Sequence, residues 1–330
     1  MAEISVTVPV YNVKPYLDRF FNTLLNQTFK GEYEIICVDD GSTDGSGELL
    51  DEYAQKYPNI KVIHQQNMGL SEARNTALKY VSGKYTMFCD ADDFIAKNTL
   101  EDLYNYAQKH NSDVVIFDFY MGVPGTKNIE LHHFPNIYRK YGDKTFNIET
   151  SEPFVYRFVP VSTWSKFYLT DLVKDIKFEK DLINQDVAHW AIVWTKAKRV
   201  NYYPVPFYFY VSEREGSITS GKGVHIFDMF RVFSLAKDTL DEAGYFDKYK
   251  YIHYAHLASN IKSRLYKIDP KLREEFIRTV QNYEINIYYN NFYKQDFFTF
   301  EKNDMKLVKF IRENCYEVIE PMLKKQGIWK

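Results

Sequence analysis

The sequence predicts an α/β fold with a mostly parallel central sheet, followed by a helical C-terminal module. Three observations predict it. Between Ile4 and Phe117, short apolar strand-like runs alternate with amphipathic helical stretches. Polar segments fall at the carboxyl ends of three of those runs: Tyr11-Asn12, Asp39 to Ser42, and Asp90 to Asp93. After about residue 224 the pattern changes to long helical periodicity.

Taken in order, Ile4 to Val10 reads as a buried strand, and Pro15-Tyr16 opens an amphipathic helix through Leu24 and Leu25. Tyr33 to Val38 is a second strand. The helix after it runs from about Asp44 to Lys56, with Ser42 or Thr43 as its cap. Lys61 to Ile63 is a short third strand, and Ser71 to Val81 is helical. Lys84 to Cys89 is a fourth strand, Asn98 to His110 a helix, and Val114 to Phe117 a fifth strand. Such alternation argues for right-handed crossovers between parallel strands, and ligands gather outside the carboxyl ends of sheets built that way.

Composition sets outer limits. The 330 residues are 45% hydrophobic, enough for one large core plus a second module. A net charge of −2 advertises no basic surface for nucleic acid. Cys37, Cys89 and Cys315 have no paired spacing, and two lie in apolar runs, so reduced core residues are expected. Met1 to Val6 carries neither a basic leader nor an apolar stretch, and no run approaches the roughly 20 apolar residues of a spanning helix. A cytoplasmic protein is expected, with peripheral contact at the inner face of the cell membrane left open.

The segment Asp90-Ala91-Asp92-Asp93 sets an acidic cluster directly after strand-formers. Burying like charges unpaired costs several kcal/mol by order of magnitude. A divalent cation removes that cost, and Mg²⁺ held by one or two carboxylates takes its other ligands from water and substrate phosphates. The cluster therefore points to a phosphorylated donor. A solvated acidic turn capping the following helix explains it equally well.

The strand from Ile4 leads to Pro9-Val10-Tyr11-Asn12, not to a GxGxxG or GxxxxGK[ST] loop, which disfavours dinucleotide enzymes and P-loop NTPases. Val8-Pro9-Val10-Tyr11-Asn12, Val38 to Asp44, Asn67 to Asn75 and Asp90 to Asp93 occur here in that order. Together they closely resemble the GT-A glycosyltransferases of family 2, an inverting group that includes many bacterial cell-surface polysaccharide enzymes. The resemblance is firm over about residues 1 to 120 and weaker to about 220. It implies a GT-A nucleotide-sugar-binding fold, a nucleotide-sugar donor (usually a UDP-sugar), and Mn²⁺ or Mg²⁺.

The resemblance also gives roles to positions. Pro9 and Tyr11 would line the base pocket, or simply pack a strand end. Asp39 would accept from the uracil N–H; alternatively it binds its own loop backbone. Asp40, Gly41 and Ser42 would shape the turn. Arg74 would reach the base or a phosphate, with a surface ion pair as the plainer alternative, and Asn67 is in the same position. Asp92 would bridge the cation to the diphosphate, Asp90 would contact ribose or a metal-bound water, and Ala91 between them would line the donor site. Asp93 would cap the next helix or orient the acceptor.

An inverting transfer needs a carboxylate to deprotonate the acceptor hydroxyl. The family supplies it from a Glu-Asp pair opening a helix. The matching place here is Leu182 to Trp190, where Gln185 replaces the usual Glu and leaves Asp186 as the base. Upstream, Thr163 to Tyr168 resembles the segment preceding that base, with Lys166 near the diphosphate or acceptor, or solvated. Trp164 stacks on a sugar ring or fills core. Downstream, Arg214 to Thr219 resembles a loop that closes over donor phosphates, with Gly216, Gly221 and Gly223 permitting motion; a plain connection is the alternative. His225 is a lone histidine just beyond.

The expected domains are a catalytic region over residues 1–222 and a helical module over 223–330. The aromatics of that module are core, a homodimer interface, or a surface meeting a lipid-linked glycan acceptor. The expected partners are a nucleotide-sugar donor and a saccharide or lipid-linked acceptor. Two other classes remain: a nucleotidylyltransferase, which would carry a Gly- and Arg-rich loop absent from Pro9 to Val13, and a catalytically silent sugar-binding module.

Overall fold

The computed structural model describes residues 2–212, 223–283 and 299–329. The chain divides into two compact units. One comprises Met1–Ser151, Phe158–Asp181 and Gln185–Glu215; the other comprises Glu152–Arg157, Leu182–Asn184 and Gly216–Lys330.

The first unit is built on one sheet. Strands β1 (Ile4–Val10), β2 (Tyr33–Asp39), β3 (Ile60–His64) and β4 (Tyr85–Phe88) pair in the order β3-β2-β1-β4, all parallel. All seven residues of β1 are buried, as a central strand covered on both faces requires. Helix α1 (Lys14–Leu25) carries Pro15 in its first turn and buries Leu17, Phe20, Phe21 and Leu24, a single stripe at helical spacing. Helices α2 (Ser46–Lys56) and α3 (Leu70–Leu78) complete the crossovers. The cap of α2 is not Ser42 or Thr43: Gly45 holds the cap position at φ 86, and Asp44 Oδ1 accepts from the Ser46 N–H at 2.9 Å.

Beyond β4 the sheet becomes mixed, running β4-β8-β6-β9-β5 with β7 beside β6. Here β5 is Phe94–Ile95, β6 Val114–Gly122, β7 Ile129–His132, β8 Lys166–Leu169 and β9 Val200–Val211. Strand β8 is antiparallel to both β4 and β6, whereas β9 is parallel to β6 and antiparallel to β5. Helices α4 (Thr99–His110), α5 (Pro135–Tyr141), α7 (Thr170–Val173) and α8 (Asp186–Lys196) punctuate these strands, whereas α6 (Pro153–Phe158) belongs, up to Arg157, to the second unit. The main apolar core gathers β1, β2 and β4 with α1 and α4, and continues to Phe117, Phe167 and Phe207. Cys37 and Cys89 are free and buried, as expected, and Cys315 is free and exposed.

The second unit is helical. Among the described residues it contains α9 (Asp228–Glu242), α10 (Phe246–Lys267), α11 (Arg273–Asn282), α12 (Thr299–Glu313) and α13 (Tyr316–Lys325). The long α10 packs on α9 and α12, and α11 packs on α12. The aromatic ring of Trp329 is buried, its Nε1 donating to the Leu265 carbonyl at 2.9 Å. Among the described residues no helix is long and apolar enough to cross a membrane.

Candidate functional site

The loops after β1 and β2 are stitched together by short polar side chains. Asn12, at φ 51, accepts from the Thr43 N–H at 2.8 Å, and its own N–H donates to Ser42 Oγ at 3.1 Å. Val13 N–H reaches Ser46 Oγ and Lys14 N–H reaches Asp44 Oδ2, each at 3.0 Å. This bracing leaves the ring of Tyr11 49% exposed while Pro9 stays buried beside Val38.

Asp39 is buried at the end of β2. Its Oδ1 accepts from the Ser42 N–H at 3.0 Å, and Oδ2 lies 3.0 Å from His64 Nδ1. His64 Nε2 is also 3.0 Å from Asp51, and the two carboxylates, Asp39 first, raise the imidazole pKa. Asp40 does shape a turn, though a more distant one than its own. It accepts from Gln65 Nε2 at 2.7 Å, Met68 N–H at 2.9 Å and Gly69 N–H at 2.8 Å, fixing the loop that exposes Asn67. Gly41, at φ 74, is required there, since a Cβ would stand 2.9 Å from the Asn67 nitrogen.

The acidic segment after β4 holds three carboxylates in three settings. Asp93 is buried and caps no helix; the residue before α4 is Asn98. Its Oδ2 accepts from the Tyr208 hydroxyl and its Oδ1 from the Val211 N–H, both at 2.8 Å. Burial, reinforced by Asp92 and Asp90, pushes its carboxyl well above the usual range. The Tyr208 hydroxyl in turn accepts from the Asp90 N–H at 3.0 Å, so β9 holds the acidic loop at two points. Arg19 of α1 donates to the Asp92 carbonyl at 2.6 Å, a third tie. Nothing in the sequence singled out Tyr208 or Arg19; one lies in an aromatic run and the other on a helix face.

Arg74 lies in a buried ion-pair arrangement and not in a surface one. It is 2% exposed, with NH2 on Asp90 Oδ1 at 3.1 Å and NH1 on Asp186 Oδ1 at 2.7 Å. The side chains of Asp90 and Asp186 are 25% and 17% exposed, so both carboxylates keep an open side while the cation between them is shielded. Burial raises the Asp90 pKa, with Arg74 opposing the rise and Asp92 and Asp186 adding to it. Asp186 is the first residue of α8, and its Oδ2 also accepts from the Thr163 N–H at 3.4 Å. Gln185 beside it is buried.

Lys166 is not the solvated lysine that the sequence allowed. It is fully buried on β8, where Nζ donates to the Pro160 and Ser162 carbonyls and lies 4.5 Å from the Trp190 ring. Burial lowers its pKa to about 7. Trp164 is core: it stacks on Tyr208 at 4.7 Å and Tyr210 at 5.4 Å, with Phe119 edge-on. Arg214, with Gly216 and Gly221, lies outside the described residues. His225 is exposed, 3.2 Å from Asp228.

Asp90 and Asp92 fit a hard divalent cation of the Mg²⁺ or Mn²⁺ kind, offering partly exposed carboxylates at the carboxyl end of a parallel strand. Among the described residues no three His, Cys, Asp or Glu side chains form a ready cage.

Residues 5–159 match the model of the family described as glycosyl transferase family 2. The chain is 34% identical to the cholesterol galactosyltransferase of Borreliella burgdorferi, over 67% of this chain and 63% of that protein. It is 32% identical to the glycosyltransferase GlyA of Streptococcus pneumoniae, over 66% of this chain and 31% of that protein. The crystal structure of Staphylococcus aureus TarS residues 1–349 in complex with UDP-GlcNAc superposes with a TM-score of 0.71 at 26% identity, covering 85% of this chain and 80% of that one. The chain thus spans from about a third to just under two thirds of the length of these curated relatives.

Proposed function

The chain belongs to glycosyl transferase family 2 and has a GT-A fold, and from that premise we propose that it is an inverting transferase. It moves a hexose or N-acetylhexosamine from a UDP-sugar to a hydroxyl of a glycan, glycolipid or cell-wall polymer. One observation carries the reading. Asp90, on the acidic loop, and Asp186, opening α8, sit on opposite ends of the same guanidinium although 96 positions separate them (186 − 90). A leaving-group site and a candidate base are thereby brought to one place.

Asp186 takes the proton of the acceptor hydroxyl as its oxygen bonds to the anomeric carbon; the bond to the diphosphate breaks on the opposite face and UDP leaves. Tyr11 offers an exposed aromatic face to the uracil, with Pro9, Asp39 and Asn67 around it. Asp92, with Asp90, would hold Mn²⁺ or Mg²⁺, whose charge offsets that developing on the departing diphosphate. Support for UDP comes from the TarS complex, and support for a hexose or N-acetylhexosamine from that complex and the galactosyltransferase relative.

Calorimetry with UDP, UDP-galactose, UDP-glucose and UDP-GlcNAc in Mn²⁺ tests the donor, and UDP release with candidate acceptors tests the transfer. Binding of UDP dependent on the cation is expected. No binding of any uridine nucleotide with Mn²⁺ present would sink the donor assignment.

A further inference from the structure

Arg74 is a buried charge in the site, and its surroundings hold it in one place. Its Cζ rests 5.3 Å from the ring of Phe178. The neighbouring Asn75 grips the main chain of Phe178 twice, Nδ2 donating to its carbonyl at 2.9 Å and Oδ1 accepting from its N–H at 2.8 Å. Phe178 lies flat on His189, at 4.0 Å and 1°, and His189 is three residues along α8 from Asp186. So α3 reaches the start of α8 twice: directly through the Arg74–Asp186 pair, and indirectly through Phe178 and His189.

We propose that Arg74 is a positioning residue that fixes the base Asp186 relative to Asp90 and does not itself touch the donor. The inference rests on the reading of Asp186 as the base. Three features argue for it. A guanidinium meant for phosphate has to be reached by phosphate, and this one is 2% exposed. NH1 and NH2 serve different carboxylates, and the planar fork gives those two bonds a fixed mutual geometry that an ammonium could not. One cation between two carboxylates also leaves a net negative charge on the side that must accept a proton and meet a cation. Buried alone, either the guanidinium or its partners would be strongly destabilising, so the arrangement holds only as a set.

The experiment is a double-mutant cycle on the full chain, read by UDP release at high enzyme concentration, with UDP affinity measured by calorimetry in Mn²⁺. Arg74→Lys keeps the charge and loses the fork. It is expected to lower kcat on the order of 10²-fold, the cost of a small misplacement of a reacting group, with the UDP Kd within about twofold of wild type. In an Asp186→Asn background the same change is expected to cost less than about twofold, because no base remains to be placed. A UDP Kd weakened in proportion to kcat/KM would show that Arg74 holds the donor and overturn the inference. An equal loss in both backgrounds would overturn it too. Transfer surviving Asp186→Asn intact would fell the base assignment itself, a distinct outcome. Should Arg74→Lys not fold, Phe178→Leu removes the ring beneath Arg74 and keeps both ion pairs. It is expected to lower kcat about tenfold at unchanged UDP Kd; an unchanged kcat would count against the proposal.

Discussion

In the parallel half of the sheet, β3-β2-β1-β4, the two carboxylates that end β2 are met largely by loop backbone. Asp40 takes the N–H groups of Met68 and Gly69, and Asp39 takes that of Ser42. In the mixed half, β8-β6-β9-β5, the buried ionisable groups are held by a side-chain hydroxyl or by carbonyl oxygens. Asp93 takes the Tyr208 hydroxyl from 115 positions away, and Lys166 is capped by the carbonyls of Pro160 and Ser162. The first half shapes a pocket with loop backbone held by carboxylates. The second fixes the geometry of ionisable groups with hydroxyl and carbonyl partners. Donor affinity should therefore depend on the first and turnover on the second.

The largest expected effect tests that division at its two ends. Asp186→Asn is expected to lower kcat about 10²- to 10⁴-fold while the UDP Kd stays within about twofold. Asp39→Asn is expected to do the reverse, weakening UDP about tenfold or more through loss of a charged acceptor, with kcat at saturating donor much less affected. Calorimetry and steady-state kinetics on both variants check the pair. If Asp39→Asn lowered kcat as steeply as Asp186→Asn, the two halves would not divide the work.

A smaller effect belongs to Tyr208. Replacing it with Phe leaves the buried carboxylate of Asp93 without its hydroxyl donor and the Asp90 N–H without an acceptor. The expected loss is about 1–3 kcal/mol of stability, measured by chemical denaturation. Because the same hydroxyl braces the acidic loop, kcat should fall while Tyr11→Ala, in the parallel half, leaves stability nearly unchanged and weakens UDP instead.

The same contrast decides what the sequence disclosed. Strand β1 is a run of seven residues with every side chain buried, and β1, β2 and β4 each deliver their polar residues immediately after the last apolar one. Tyr11, Asp39 and Asp90 were legible for that reason. Strand β9 was not, because Pro204 and Pro206 interrupt it and its register against β6 shifts around Asp118. Strand β8 is four residues long and announces nothing. Asp186 was located only by resemblance, and its tie to Arg74 spans 112 positions, for which no local pattern exists. The complete burial of Lys166 was not legible, because a lone lysine gives no sign that a strand will bury it.

That burial yields the smallest prediction and the sharpest test of the mixed half. The folded-state pKa of Lys166 is lowered to about 7 by burial, below the 10.5 of an exposed lysine. At pH values below about 7 the amine is protonated in both states, and the full cost of burying an ammonium is present. As pH rises above 7 the folded protein releases the proton while the unfolded chain still binds it, so stability increases with pH. The increase attributable to this one group is about 1 kcal/mol between pH 7 and 8. Lys166→Met has no amine to titrate, so its stability should climb less between pH 7 and 8 than that of the wild type. Parallel denaturation series at pH 7.0, 7.5 and 8.0 isolate the group by difference, since other titrating residues contribute equally to both proteins. Identical slopes would mean that Lys166 reaches water on folding, and β8 would then not bury it as the mixed half requires.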